Sequence, residues 1–254
     1  MKEAKIVAVF LAALSLAAIT SAQNAVPSGT VIPVALTSSV STNDQPGKTV
    51  SARVMQDVPL AGGKTIRAGS RLVGRVLAVK PGANGKGAQI FLTFDKLVSE
   101  RRSEPVTTDL RAIASFVEVE QAQIPPMGPD RGTPQWEWTT QLIGGDVDYR
   151  GGGPVKEGRE IVGRPVSNGV LSNLTTSLNG PCRGAIDQND RPQALWVFSA
   201  DACGVYGFPS IAVAHAGRTS PVGEIVLRSD RAKFKIASGT GILLRVIAGG
   251  TGNA

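Results

Sequence analysis

AGSRLVGRVLAVKPGANGKGAQIFLTFDKL, residues 68–97, decides how the chain folds. Leu72, Gly74 and Val76 recur at every second position, as do Ile90, Leu92 and Phe94, and Pro81 through Gly87 stands between the two runs. A period of two places one set of side chains on one face of a strand. Pro, Gly and Asn between such runs reverse the chain, so the stretch predicts an antiparallel pair. Upstream, Val31/Pro33/Ala35 and Val50/Ala52/Val54 repeat the pattern, with turn residues at Asn43 to Gly47, Gly62-Gly63-Lys64 and Arg67-Ala68-Gly69. The glycines that open GTVIP and sit in AGSRLVG suit turns that need a positive φ. Five or six strands joined by short connections predict an all-β fold, a small antiparallel barrel or sandwich.

Near the carboxyl terminus the regularity returns. Ile225/Leu227, Phe234/Ile236 and Ile242/Leu244/Val246 read as three strands, over 219–248, and the last of them is expected to close the barrel. The resulting division is a leader (1–22), a barrel-like domain (23–122), a Pro/Gly-rich linker (123–136), an insertion (137–218), the closing strands and a tail (249–254). Thirty Gly and sixteen Pro in 254 residues leave little room for long helices.

The leader MKEAKIVAVFLAALSLAAITSA carries Lys2 and Lys5, an apolar run from Ile6 to Ile19, and then Thr20, Ser21 and Ala22. That order is expected of a secretory signal peptide cut after Ala22, which leaves no stable transmembrane segment. A retained anchor is the alternative. The whole chain carries a formal +7, with Lys and Arg scattered and no nucleic-acid motif beside them. The charge reads as solvation, with an anionic envelope polymer or an envelope protein as the partner to expect and nucleic acid not.

Gly29-Thr30-Val31-Ile32-Pro33, Pro46-Gly47 followed by Val50 and Ala52, Asp57-Val58, and Ala68-Gly69-Ser70-Arg71-Leu72-Val73-Gly74 resemble the β-barrel part of TrbI-type core-channel proteins of conjugation and type IV secretion systems. Ile236 through Val246 is similar to the last strand of that barrel, and the resemblance spans about residues 27–98 and 232–247. It implies an envelope location and an accessory part in a secretion machine. That family's Pro-rich arm and membrane-inserting helical pair are not seen here. A Gly-rich segment with two cysteines stands before the final strand instead, so the resemblance implies the small barrel and not a pore.

Those cysteines, Cys182 and Cys203, are the chain's whole complement. In an oxidising compartment an even count is expected to pair, and closing a loop of about 22 residues contributes about 3 kcal/mol in the chain-entropy description. The expected insertion is thus a disulfide-stapled, β-rich one. A metal pair or a catalytic thiol is the rival, but one histidine and two cysteines do not complete a zinc set. Asp146, Asp148, Gly151 and Glu157 have the spacing of a calcium loop, yet Arg150 stands where a ligand oxygen belongs and no helices flank it, which favours a solvated turn. No cofactor is implied.

DRPQALWVFSADACGVYGF, residues 190–208, concentrates Trp196, Phe198, Tyr206 and Phe208 around Cys203. Leu195 to Ser199 reads as a strand buried on both faces and the whole as core, with a ligand-stacking platform as the alternative. The candidate ligand site is Asp187, Asn189, Asp190, Trp196, Tyr206 and His215. His215 is the sole histidine and the only candidate base for a hydrolase. No Gly-x-Ser-x-Gly or Ser-x-x-Lys accompanies it, so the sequence favours a non-enzymatic binding or assembly module, with a secreted hydrolase as an alternative.

Overall fold

A computed structural model describes residues 26–100, 102–123, 140–143, 145–149, 155–157, 160–166, 169–172, 193–199 and 202–249. The leader, most of the linker, Cys182 and the Asp187–Asp190 group lie outside them. The amino-terminal part comprises β1 (Val31–Leu36), β2 (Val40–Ser41), β3 (Thr49–Val54), β4 (Val58–Pro59), β5 (Thr65–Ile66), β6 (Arg71–Lys80), β7 (Gln89–Ser99), β8 (Arg102–Ala114) and the helix α1 (Phe116–Gln123). An inserted run follows: β9 (Thr140–Leu142), β10 (Gly145–Tyr149), β11 (Val155–Glu157), β12 (Glu160–Val166), β13 (Gly169–Ser172) and β14 (Gln193–Ala194). The chain then returns through β15 (Gly204–Tyr206), β16 (Ile211–His215), β17 (Ile225–Ser229), β18 (Lys235–Ile236) and β19 (Gly241–Gly249).

Six strands close a barrel in the order β1-β3-β6-β7-β8-β19, every neighbouring pair antiparallel. β19 pairs with β1 on one side, Val31 opposite Arg245, and with β8 on the other. The inward set is the alternating one: Val50/Ala52/Val54, Ile90/Leu92/Phe94 and Ile242/Leu244/Val246 all belong to one buried cluster. In β1 the inward residues are Ile32, Val34 and Leu36, one position out of step with the expected set. Val31 faces outward into a second cluster, so β1 is apolar on both faces and its pattern does not announce which face points in.

Two glycines show why the barrel needs them. Gly69 enters β6 at φ +89°, a region where other residues are strained. Gly74 points inward where the β6–β7 register shifts, and a Cβ there would sit 1.7 Å from the Thr93 carbonyl oxygen.

β7 and β8 part company along their length. Lys96–Ser99 pairs with Arg102–Pro105, whereas Gln89–Leu92 pairs with β17 and the far end of β8 takes β15 in parallel. The β16–β17 hairpin fills the seam: Leu110 N–H donates to the Ala216 carbonyl at 2.7 Å, and Thr108 Oγ1 donates to the Phe94 carbonyl. Two small flaps, β2–β18 and β4–β5, bring Val40, Ile236, Val58 and Ile66 into the core. The remaining void, bordered by Leu36, Val50, Phe94, Leu110 and Ile242, is lined wholly by apolar side chains and measures about 10 Å³. That is about the room one water requires, with no polar group to hold it. This interior is packed side chain, not a ligand chamber.

The inserted run forms a six-stranded antiparallel meander, β14-β13-β12-β11-β10-β9. Its ends meet at the barrel, where Ile143 N–H donates to the Val197 carbonyl and Ser199 N–H to the Ile143 carbonyl, both at 2.9 Å. β15 and β16, which lie within 137–218, pair with the barrel sheet. Among the described residues no helix is long and apolar enough to cross a membrane.

Candidate functional site

The aromatic stretch makes a turn where a strand was expected. Phe198 N–H donates to the Leu195 carbonyl at 2.9 Å, and Trp196 takes a left-handed φ of +53°. The turn holds because its open backbone donor has a partner: Trp196 N–H donates to Oε1 of Gln56, a wholly buried side chain in the loop after β3, at 3.0 Å. Alternation of large side chains arises here from a tight reversal pressed against the barrel, which periodicity alone does not separate from a strand.

What the turn presses on is the outer wall. Ala112 and Ala114 of β8, Leu243 of β19 and Val31 of β1 form a second buried cluster with Val119 of α1, Ile143, Leu195, Trp196, Val197 and Phe198. Gly241 explains the close fit. A Cβ there would meet Val119 at 2.7 Å and the rings of Phe198 and Trp196 at 3.4 Å. Trp196 is 3% exposed and Phe198 not at all, so both rings fill a core.

Tyr206 is used locally as well. Its hydroxyl accepts from Cys203 N–H and donates to the Cys203 carbonyl, each at 2.9 Å, closing a three-residue loop. Cys203 itself is buried. Cys182, its expected partner, falls outside the described residues, and the pairing lies outside them too. Asp187, Asn189 and Asp190 fall outside too, and their relation to Trp196, Tyr206 and His215 is not described.

His215 ends β16. Its Nδ1 accepts from Gly217 N–H at 2.9 Å, which orders the following turn, while Nε2 is buried with no hydrogen-bond partner. A base that activates a nucleophile needs that group within hydrogen-bond reach. Among the described residues none bonds to Nε2. The calcium spacing falls on a hairpin: Asp146 and Asp148 belong to β10, Glu157 to β11, and Asp148 stands opposite Lys156. An extended pair of strands does not wrap a cation as a helix-flanked loop does. No group of three metal-ligating side chains occurs among the described residues.

A buried polar knot with no sequence motif of its own lies on the same wall. Asp109 and Arg245 face each other across β8 and β19. Asp109 Oδ2 accepts from Arg245 Nη2 at 3.0 Å and from Arg218 Nε at 2.8 Å. Burial pushes the Asp109 carboxyl above its ordinary value, and the pull of Arg245 and Arg218 only partly offsets this. Arg111, at the register shift of β8, donates to Gln193 Oε1 at 2.8 Å. One knot ties the seam loop to the barrel; the other ties the root of the insertion. Their signal was legible in VTTDLRAIAS, where two charged residues interrupt an otherwise uncharged stretch. No protein-family model and no curated protein matches the chain.

Proposed function

We propose that this is an exported cell-envelope protein, periplasmic or secreted, that works as a non-enzymatic binding or assembly module, with Cys182 bonded to Cys203 in the insertion. The observation that carries this reading is the way the chemically suggestive residues are spent. Trp196 and Phe198 fill a core, Tyr206 closes a backbone loop, and the barrel interior holds no chamber. Among the described residues, what is left to work with is surface. The leader supports export, and export supplies the oxidising conditions that pair cysteines.

The test is twofold. Cell fractionation should recover the protein outside the cytoplasm, and the purified mature chain should turn over no ester, glycan or peptide in a broad panel. Turnover that disappears in His215→Ala would replace this reading with a hydrolase. The barrel resemblance favours a second reading, an accessory component of an envelope secretion machine. Affinity purification from membranes should then return subunits of such a machine, and their absence would remove it.

A further inference from the structure

The outer wall of the barrel has two unlike halves. Over β8, β19 and β1 it is covered by α1 and by residues 193–199 and 202–206. Over β3, β6, β7 and β17 the charged residues are Arg53, Arg71, Arg75, Lys80, Lys96 and Arg228, and the only acid is Asp95. All six cations are exposed. They share the outward face, because their neighbours Ala52, Leu72, Val76, Leu97 and Leu227 point into the core.

Asp95 is paired with Arg75. Arg53 and Arg71 stand directly opposite each other across β3 and β6, a like-charge placement that weakens a sheet. Lys96 lies opposite Val73, two positions from Arg71, and Arg228 opposite Gln89, which itself faces Lys80. By strand spacing the field covers about 30 Å along β6 and about 15 Å across four strands. It belongs to a body, residues 26–123 and 202–249, in which 18 Lys and Arg face 10 Asp and Glu.

We propose that this wall is a docking surface for a linear anionic polymer of the envelope, one carrying repeated phosphate or carboxylate groups. The inference deepens the binding-module reading and rests on it. The cations do not converge on a pocket, so a small anion meets few of them, whereas a chain laid along the wall meets the five not paired with Asp95 and releases counterions at each. An acidic protein would need apolar or aromatic anchors amid the charge. The large exposed apolar side chains among the described residues are Phe116, Val117 and Val222, none of them in these four strands. A bilayer is flat and the barrel wall convex, and outward apolar side chains of these strands such as Val73 and Phe91 are only half-exposed, with the Lys80 ammonium over the Phe91 ring.

The experiment uses the mature chain and long-chain inorganic polyphosphate, with Kd measured against sodium chloride concentration. A wall variant, Arg71→Glu with Lys96→Glu and Arg228→Glu, is compared with Lys64→Glu, Lys233→Glu and Lys235→Glu, which remove equal charge from the flaps and the loop before β18. The wall variant should lose affinity by about tenfold or more, and the salt slope should fall by about one unit per cation removed, while the control stays within about threefold. Arg53→Glu supplies a check on folding, because it should raise the melting temperature by pairing with Arg71 while weakening binding. Equal losses in both triple variants, or no binding by the native chain at low salt, would overturn the proposal. Tighter binding to anionic phospholipid vesicles than to polyphosphate would overturn the choice of a polymer. A chain kept in the cytoplasm whose wall still binds polyphosphate sinks the export reading alone; an exported chain indifferent to the wall charges sinks this inference alone.

Discussion

Phe198→Ala removes the largest wholly buried side chain of the outer cluster. A phenylalanine buries on the order of 150–250 Å², and at about 25 cal/mol per Å² that sets an upper bound of about 4–6 kcal/mol. Measured losses for such truncations run at about 3–5 kcal/mol because a cavity is added to the lost transfer energy. Little can collapse into the space: Gly241 has no side chain to offer, and the turn is fixed by its hydrogen bonds to Gln56 and with Ile143. The expected loss is therefore about 4 kcal/mol, equivalent to about 8–16 °C in melting temperature for a chain of this size. Urea unfolding followed by circular dichroism measures it. A loss below about 0.5 kcal/mol, the range of ordinary surface substitutions, would show that the ring is not core and would return the 190–208 stretch to the candidate ligand sites.

Three further substitutions probe the scaffold. Gly74→Ala puts a methyl group where the Thr93 carbonyl stands, and the β6–β7 pair has to part locally, so a loss of about 3 kcal/mol or more is expected by urea unfolding. Gln56→Ala leaves Trp196 N–H buried without its acceptor and should cost about 1–3 kcal/mol; a melting temperature equal to that of the native chain would contradict the bond. For Asp109, burial raises the folded carboxyl above its ordinary value against the pull of Arg245 and Arg218, so the folded state holds the proton more tightly than the unfolded chain. Its contribution is complete below about pH 4 and is lost as pH rises through the folded value. Asp109→Asn cannot titrate, and its stability should change less than that of the native chain as pH rises above about 4. Parallel stability curves would refute the assignment.

The barrel was legible because its strands obey one rule. Val50/Ala52/Val54 and Ile90/Leu92/Phe94 face a single core, turn glycines divide them, and each inward set is apolar while its outward neighbours, Phe91 apart, are polar or charged. Legibility ends where a strand is covered on both sides. β1 is buried at nearly every position, and in β8 the run from Leu110 to Ala114 is buried throughout, Arg111 included. The small residues Ala112, Ala114 and Gly241 are the trace of the cover, since they leave room for Phe198 and Trp196. Such a trace becomes readable only once the pairing is known. Leu195 to Ser199 misled for a related reason: burial on both sides was foreseen, but the left-handed Trp196 that makes it a turn depends on Gln56, 140 positions away. The basic wall was in plain view as scattered charge. It became a surface when β3, β6, β7 and β17 were brought side by side.

Mass spectrometry of protein isolated from its native source, digested without reduction, tests the central claim of an exported, stapled module most directly. The account predicts a mature terminus at Gln23 and a cross-linked peptide pair containing Cys182 and Cys203. An intact Met1 leader together with two alkylatable thiols would contradict it.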